Sequence, residues 1–307
     1  MYALEFPKDH GAHPNFRIEW WYFTAVLQDT DAITYGAQWT LFRMARRPSG
    51  LKDDQLWMGN AALASPSGHY FDERLARGDM GLADVNAEPF EAKIDEWLVA
   101  EQQSNDLTIH AQGADFAFDL RFTTNMAPVL HAENGFSVKS GSGTASHYYS
   151  QPNYMVTGQL ETPNGVVEVS GNGWMDHEWS SRPFEPDQVG WDWISLHMND
   201  GGKLMAFRLR DRIDGDFLAG TWMPKNGEAQ SLTANELSLS ALATSVIDGR
   251  EIPTVFQLVV PQHGIDATIE AIYPDSWMAT SVPYWEGPVR FDGSHSGVGY
   301  LEMTGYE

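Results

Sequence analysis

The amino-acid sequence predicts an all-β protein built from two antiparallel β-barrels. Its apolar segments are short and rich in aromatic and β-branched residues, and many alternate apolar with polar residues, as strands with one buried face do. Glycine, proline, Asn-Gly and Asp-Gly separate these segments and indicate tight turns. One hairpin pattern also occurs twice. Because a sheet of so many strands usually curls or closes to remove its edges, these observations favour two closed or nearly closed barrels.

The first half of the chain contains four segments with clear strand character. They are "IEWWYFTAVL" (18–27), "AITYGAQWTLFRM" (32–44), "LTIHAQ" (107–112) and "DFAFDLRF" (115–122). Between them, "FDERLARGD" (71–79) is the one segment that we expect to be helical.

The second half continues the strand pattern. Its segments are "YMVTGQLE" (154–161), "VVEVSG" (166–171), "KLMAFRLR" (203–210) and "TVFQLVV" (254–260). The stretches "TPNGVV" (162–167) and "MNDGGKL" (198–204) are predicted hairpin turns, because Asn, Asp and Gly tolerate positive φ angles. The segment "ANELSLSALA" (234–243) fits either a helix or a strand.

The repeated hairpin predicts two copies of one β unit. "WYFTAVLQD" followed by "YGAQWTLFR" (21–43) is similar to "WISLHMND" followed by "KLMAFRLR" (193–210), each a Trp-led strand, a polar turn and a strand ending in Arg. The second strand of each half is predicted to have the same register. A length of 307 residues also suits two domains. We therefore predict an N-terminal domain of residues 1–184 and a C-terminal domain of residues 185–307.

The composition excludes several classes of function. A formal net charge of −23 repels phosphate backbones and acidic lipid surfaces, so nucleic acid is not expected as a partner. The chain has no cysteine, which rules out disulfides, thiolate nucleophiles and Cys-ligated metals. No segment reaches the roughly 18 apolar residues of a membrane helix, so no membrane span is expected.

Motifs for cofactors, metals and nucleophiles are weak. The chain contains no dinucleotide-binding fingerprint, P-loop, zinc-protease motif or nucleophile elbow. "HGAH" (His10 and His13) has a spacing that would suit a metal, but a solvated loop is the favoured interpretation there. The sequence thus predicts neither a cofactor nor a metal site.

Strand alternation separates the side chains of the most unusual segment, "GNGWMDHEWSSRPFEPDQVGWDWISLHM" (171–198). One face of the first strand would carry Trp174, Asp176 and Glu178, and the other Met175, His177 and Trp179. Asp176 and His177 would then not hydrogen-bond to each other unless a bulge intervenes.

The aromatic and acidic residues of these strands have two interpretations. Trp191, Trp193, Ser195 and His197 would share a face, which is either packed core or the wall of a pocket. Glu19 and Asp176 lie in apolar runs, where a carboxylate must be paired, hydrogen-bonded or protonated. Arg43 and Arg208 are available for structural salt bridges, and a functional role is equally open.

Several motifs together resemble the AttH and carotenoid-1,2-hydratase family. They are "DHGAHPNFRIEWWYFTAVL", "YGAQWTLFR", "SHYYSQPNYMVTGQL", "GNGWMDHEWSS", "GWDWISLHMNDGGKLMAFRLR" and "YWEGPV...GVGYLEMTGY", which span nearly the whole chain. The resemblance implies two lipocalin-like β-barrel domains of the calycin type. It also implies an apolar or amphipathic small molecule as the partner, with lipid or isoprenoid chemistry.

The function implied by the resemblance is binding of, and chemistry on, such a molecule in a lipocalin-like pocket, with a role in lipid metabolism. The alternative is a hydro-lyase or isomerase that acts on an alkene. Matching the motif puts Asp176 and His177 in the catalytic positions, with Asp176 as the general acid. No nucleophile motif supports the hydrolase label that members of the family often carry.

We expect ligand-binding residues in both halves of the chain. They are Glu19, Trp21, Tyr22, Gln38, Tyr148, Trp174, Glu178, Trp179, Trp191, Asp192, Trp193 and His197. The expected location is periplasmic or secreted after removal of a leader, and the alternative is cytoplasmic.

Overall fold

The computed structural model describes residues 2–47, 50–141, 143–182, 187–213 and 215–306. The protein is all-β, with 65% of its residues in strands and 3% in helical turns. Its two antiparallel sheets form one nearly closed barrel and one half-barrel, which confirms the predicted pair of lipocalin-like barrels.

The first sheet has 13 strands within the described residues, in the order β4-β3-β2-β1-β13-β12-β9-β8-β7-β6-β5, with β10 and β11 paired to β12. The strands are β1 (Ile18–Gln28), β2 (Thr34–Ala45), β3 (Gln55–Ser65), β4 (Gly68–Arg77), β5 (Ala83–Ala87), β6 (Phe90–Ile94), β7 (Trp97–Gln103), β8 (Asp106–Gln112), β9 (Ala117–Thr123), β10 (Val129–Leu130), β11 (Phe136–Val138), β12 (Ala145–Thr162) and β13 (Gly165–Ser180).

In the described part of the chain the second sheet has ten strands, in the order β17-β16-β15-β14-β23-β22-β20-β19-β18, with β21 paired to β22. The strands are β14 (Gln188–Met198), β15 (Lys203–Asp211), β16 (Phe217–Met223), β17 (Gln230–Thr233), β18 (Ser238–Ile247), β19 (Arg250–Val260), β20 (Ile265–Ala271), β21 (Trp277–Met278), β22 (Tyr284–Gly293) and β23 (Gly297–Thr304). Three single-turn 3-10 helices complete the described structure, at Lys8–His10, Lys52–Asp54 and Pro261–His263.

Each sheet encloses an apolar core built from alternate residues of its strands. The first core is dominated by aromatic side chains, including Trp21, Trp39, Trp97 and Phe118. The second is mostly aliphatic and includes Ile194, Leu196 and Leu301. Because alternate strand residues point to opposite sides, the remaining residues of β1, β13 and β14 form a second face on each sheet.

The chain forms two compact units. The first comprises residues 1–63, 70–138 and 144–183, and the second comprises 64–69, 139–143 and 184–307. The predicted domain boundary between residues 184 and 185 lies outside the described residues.

The turn predictions were right and the helix prediction was wrong. β12 ends at Thr162 and β13 begins at Gly165, while β14 ends at Met198 and β15 begins at Lys203. The segment predicted as a helix at 71–79 instead lies largely in β4, which pairs with β3. Tertiary pairing there overrides the helical propensity of its Leu, Ala, Arg and Glu residues. The ambiguous segment 234–243 leads into strand β18.

The helical segments of the described residues are single turns, and none has the length and hydrophobicity of a membrane-spanning helix.

Candidate functional site

Strand β13 separates two polar clusters of the first unit, one on each face of the sheet. On one face the His177 ring stacks on Trp21, with ring centroids 4.6 Å apart, and Trp21 belongs to the barrel core. On the other face, Asp176 pairs in register with Tyr22 of β1 and with Ser150 of β12. Asp176 and His177 therefore serve different environments, as strand alternation predicts.

The second-face cluster centres on Asp176, which is 2% exposed. Its Oδ1 accepts a hydrogen bond from the Ser150 hydroxyl and another from Trp174 Nε1 at 3.0 Å. Its Oδ2 is buried without a hydrogen-bond partner among the described residues. No described Arg or Lys forms an ion pair with this carboxyl.

Burial raises the pKa of Asp176 from 3.8 to about 7, because removal from water penalises the charged form. Hydrogen bonds from Ser150, Trp174 and Tyr148 oppose this rise, and the nearby charge of Glu178 adds to it. Near neutral pH, Asp176 therefore exists partly as a carboxylic acid with one oxygen available to a further partner.

Ser150 links Asp176 to a histidine. The Ser150 hydroxyl lies 2.6 Å from His131 Nε2, and the His131 ring packs on Tyr148 with centroids 4.2 Å apart. Farther along the same face, Ser146 donates a hydrogen bond to Glu178 Oε1 at 2.5 Å.

Gln38 contributes a further buried polar group. Its Nε2 hydrogen-bonds to the Thr40 hydroxyl, and its Oε1 has no partner among the described residues.

The interior network is built around Glu19, which is fully buried at the start of β1. Its Oε1 lies 2.6 Å from His13 Nδ1 and 2.9 Å from His177 Nε2, and its Oε2 accepts from Arg43 Nε at 2.8 Å. Burial alone would raise the pKa of Glu19, but the hydrogen bonds and charges of His13 and His177 outweigh burial and hold it well below its ordinary value. Glu19 is therefore an ionised, structurally paired carboxylate.

A chain of hydrogen-bonding groups extends from Glu19 across the interior. His177 Nδ1 lies 3.1 Å from the Tyr149 hydroxyl, which lies 2.7 Å from His10 Nδ1. Burial lowers the pKa of His177 to about 4, and its contact with Glu19 only partly opposes that shift. A neutral His177 satisfies both contacts by donating from Nε2 to Glu19 and accepting at Nδ1 from Tyr149.

The "HGAH" segment is thus not a solvated loop. His13 stacks on Trp179 with centroids 3.8 Å apart, and His13 Nε2 lies 3.2 Å from Asp9 Oδ1. The sequence interpretation was wrong because the residues that bury this segment, His177 and Trp179, come from strand β13, far away in the sequence.

Ligand-type atoms of His13, Glu19 and His177 lie within 4.8 Å of one another, a spacing that would suit a metal ion. However, both ring nitrogens of His13 lie within hydrogen-bond distance of carboxylate oxygens, one of Glu19 and one of Asp9. Arg43 adds a guanidinium on the Glu19 carboxylate, and its side chain is completely buried. Because these contacts already occupy the His13 nitrogens and both Glu19 oxygens, we assign no metal to the network.

The predicted residues of the second unit divide between an ion pair and a buried face. Asp192 accepts from Arg208 Nη2 at 2.5 Å and from the Tyr306 hydroxyl at 2.9 Å, so it is a structural counterpart of Glu19. Trp191 Nε1 donates to Glu302 Oε1 at 2.5 Å. Trp193 and His197 are both buried. Burial lowers the pKa of His197 to about 3.

A family model described as AttH-like matches residues 1–306. The chain belongs to the AttH-like family. A crystal structure assigned to AttH from Nitrosomonas europaea is 32% identical, with a TM-score of 0.89, and the match covers 99% of this chain and 97% of that one. The crystal structure of kievitone hydratase from Nectria haematococca shares the fold, with a TM-score of 0.72 at 15% identity over 99% of this chain and 92% of that one. No curated protein matches at a significant level.

Within this AttH-like chain, the structure brings together some predicted residues and separates others. Tyr22, Gln38, Tyr148, Trp174, Asp176 and Glu178 are buried residues of the second face of the first sheet. Glu19, Trp21, His177 and Trp179 belong to the barrel interior, where Trp21 and Trp179 are core residues.

Sequence reasoning missed Ser150, His131, Tyr149, His10 and His13 as members of these two clusters. Ser150 and Tyr149 lie in the quoted block "SHYYSQ", so alternation opposite Asp176 and His177 was an available signal. His131 lies just after the two-residue strand β10 and has no pattern around it that would have revealed its role.

Proposed function

We propose that this AttH-like protein binds an unsaturated, largely apolar small molecule and adds water to it, with Asp176 as the proton donor. The observation that carries the proposal is a buried carboxyl with a pKa of about 7, an unpaired Oδ2 and no described cationic partner. A structural carboxylate is normally paired, as Glu19 and Asp192 are in this chain. The hydratase named among the proteins of the same fold is consistent with this reaction.

In the proposed reaction, the Asp176 O–H bond breaks and its proton forms a C–H bond at one carbon of the alkene. The alkene π electrons form that bond, which leaves a carbocation at the adjacent carbon. Water adds there, and its extra proton returns to the Asp176 carboxylate. The carboxylic acid is thereby regenerated, and the net change is addition of one water molecule.

The neighbours of Asp176 suit this chemistry. Ser150 and Trp174 hold Oδ1 by hydrogen bonds, which orients the carboxyl while Oδ2 remains without a described partner. Aromatic faces stabilise a desolvated cation by roughly 0.5–2 kcal/mol each, and Trp174 and Tyr148 are buried on this face. His177 lies on the opposite side of β13, so we propose for it a positioning role in the interior network and no contact with substrate.

The ligand class and cellular role belong to the same proposal. The buried aromatic side chains Tyr22, Tyr148 and Trp174 on this face suit the apolar part of a lipid or isoprenoid-like molecule, which supports a role in lipid metabolism. We also propose a periplasmic or secreted location.

The test combines binding and turnover in one variant. Wild-type protein and Asp176→Asn are incubated with a panel of fatty acids, isoprenoids and carotenoids, with tryptophan fluorescence for binding and mass spectrometry for a gain of one water. We expect the variant to bind with affinity within about threefold of wild type and to lose at least about 100-fold in turnover, the usual contribution of a general acid.

Asp119→Asn is the matched control, because Asp119 is exposed and pairs with His110 at 2.7 Å on the surface. It should leave both measurements unchanged. Turnover by Asp176→Asn at the wild-type rate would exclude Asp176 as the donor. Binding of the panel without hydration by the wild-type protein would instead identify a carrier.

A further inference from the structure

The second unit contains two hydroxyl groups that no described residue satisfies. Ser195 of β14 and Tyr300 of β23 are each 1% exposed. Neither Ser195 Oγ nor Tyr300 Oη has a hydrogen-bond partner among the described residues. Burying a hydroxyl without a partner costs free energy, so such groups are rare in native proteins and often mark a site that a further molecule completes.

The two residues are direct cross-strand neighbours. Ser195 pairs in register with Tyr300, and side chains at such positions lie on the same face with Cβ atoms about 4.5–5.5 Å apart. They lie on the second face of the sheet, since their neighbours Ile194, Leu196 and Leu301 form the core on the other side. Two unpaired donors therefore occupy one small area of the sheet.

The surroundings define what such a pair would bind. Trp193 lies two residues before Ser195 on the same face, and Met205 and Phe207 face these two residues from β15. All three side chains are buried, and they would contact the apolar part of a ligand. The same face also carries Glu302 opposite Trp193 and Glu286 opposite Glu302, so a ligand here would be neutral and not anionic. Burial, together with the nearby charge of Glu286, holds the pKa of Tyr300 well above its ordinary value, so the phenol remains a donor and an anionic ligand is disfavoured.

We propose that Ser195 and Tyr300 form a binding site for the acceptor oxygen of a neutral, largely apolar small molecule such as a ketone or aldehyde. The site lies in the second unit and is independent of the acid chemistry assigned to Asp176. Each hydroxyl can donate one hydrogen bond, and a carbonyl oxygen has two lone pairs to accept them.

The experiment compares two probes that differ mainly in one oxygen. Binding of 2-acetylnaphthalene and of 2-ethylnaphthalene is measured by calorimetry on the full chain. We expect the ketone to bind wild-type protein at least about tenfold more tightly, and we expect Ser195→Ala and Tyr300→Phe each to reduce that ratio. The double variant should bring it close to one.

Two control variants test whether the preference for the ketone arises at Ser195 and Tyr300. Tyr35→Phe removes a phenol that hydrogen-bonds to Asp29 in the first unit, and it should leave the ratio unchanged. Asp119→Asn, which changes a surface residue of the first unit, should also leave the ratio unchanged. The Ser195 and Tyr300 variants do not alter Asp176, so failure of the proposed hydratase activity would not affect this result. Equal affinity for the two probes, binding of neither, or a preference that survives in the double variant would each overturn the proposal.

Stability of the ligand-free variants gives a second readout. Removing an unsatisfied hydroxyl relieves its desolvation cost, so Tyr300→Phe and Ser195→Ala should melt at or above the wild-type temperature. A fall of several degrees in either variant would mean that the hydroxyl has a structural partner, which would also overturn the proposal.

Discussion

Three buried carboxyls in this chain differ because of the side chains beside them. Glu19 lies against Arg43, and Asp192 lies against Arg208, with donor–acceptor distances of 2.8 and 2.5 Å. Asp176 has hydroxyl and indole donors and no described cation. Because a buried charge needs a compensating charge or several hydrogen bonds, Glu19 stays ionised while Asp176 retains its proton up to near neutral pH.

The raised pKa of Asp176 predicts a pH-dependent cost to stability. Between pH 4 and 7 the unfolded chain releases this proton while the folded protein retains it, so the free energy of unfolding falls as pH rises. A pKa raised from 3.8 to about 7 corresponds to a loss of about 4 kcal/mol that is complete above pH 7. Asp176→Asn should remove this loss, as urea denaturation at pH 4, 6 and 8 would measure.

Comparing the variant with wild type at each pH cancels the contributions of other titrating groups. His177, whose pKa is lowered to about 4, contributes in the opposite direction, with stability that is lost as pH falls from 6.5 to 4. A difference between Asp176→Asn and wild type that is constant from pH 4 to 8 would contradict the raised pKa.

The same pKa predicts the pH profile of the proposed reaction. A general acid must be protonated in the free enzyme, so kcat/KM should be flat below pH 7 and fall about tenfold per pH unit above it. Initial rates from pH 5 to 9 would show this. A rate that rises above pH 7 would indicate a catalytic base in its place.

At the residue level, the sequence shows which buried carboxylates need a compensating charge, but it does not show which arginine supplies it. The need for compensation at Glu19 and the availability of Arg43 are evident from the sequence, and the structure pairs them. Arg208 pairs with Asp192 and not with Asp176. Choosing between two nearby carboxylates depends on strand register, which local sequence does not specify.

At the level of elements, the repeated hairpins β1–β2 and β14–β15 place the same ion pair in the same position. Glu19 is opposite Arg43 in one, and Asp192 is opposite Arg208 in the other. The sequence repeat aligns Trp21 with Trp193, but Trp21 is in the first core and Trp193 is outside the second. A shift of one residue along a strand moves a side chain to the other face of the sheet. The repeat was therefore predicted correctly, but the alignment of its two first strands was not.

The two ion pairs should contribute unequally to stability. Glu19→Gln leaves Arg43 charged in a fully buried position, and we expect a loss of about 3–5 kcal/mol. Asp192→Asn should cost about 1–3 kcal/mol, because the Arg208 side chain is 16% exposed and is also 3.8 Å from Asp216. Chemical denaturation of the two variants would test this order.

Glu270→Gln provides the comparison for an ordinary surface pair. Its side chain is 48% exposed and that of its partner Arg290 is 63% exposed, so the loss should stay below about 1 kcal/mol. Equal losses in all three variants would show that burial does not control the energetics of these pairs.

The interior network also shows why part of the site escapes sequence analysis. Its members come from the first 3-10 turn and the loop after it, and from β1, β2, β12 and β13. Positions 10 and 13 meet residues 149 and 179 only after the barrel closes. Hydrophobic periodicity predicts which strands form, and it carries no information on which loop covers the end of the barrel.

For the whole molecule, the dominant electrostatic feature is a net charge of −23. Like charges spread over a folded surface repel one another and destabilise the compact state. The Debye length shortens from about 30 Å at 0.01 M salt to about 8 Å at 0.15 M. We therefore expect the melting temperature to rise by several degrees between 0.01 and 0.15 M KCl at pH 7.5.

The control is to measure the same two melting temperatures at pH 4.5, where many carboxylates gain protons. The salt effect should be much smaller there, because the net charge is closer to zero and the sequence pI is about 4.6. An equal rise at both pH values would point to a general salt effect on the hydrophobic core and not to charge repulsion.

The division of β13 into two faces has a consequence for laboratory evolution. Positions 22, 148, 150, 174 and 176 line one face, and positions 19, 43, 149 and 177 line the other, although the chain interleaves them. Both sets are buried, but only the second contains the Glu19–Arg43 ion pair, so libraries randomised on the first set should retain folded protein more often. Under the proposed function, selection for a new substrate would therefore draw its changes from the first set and leave the second as it is.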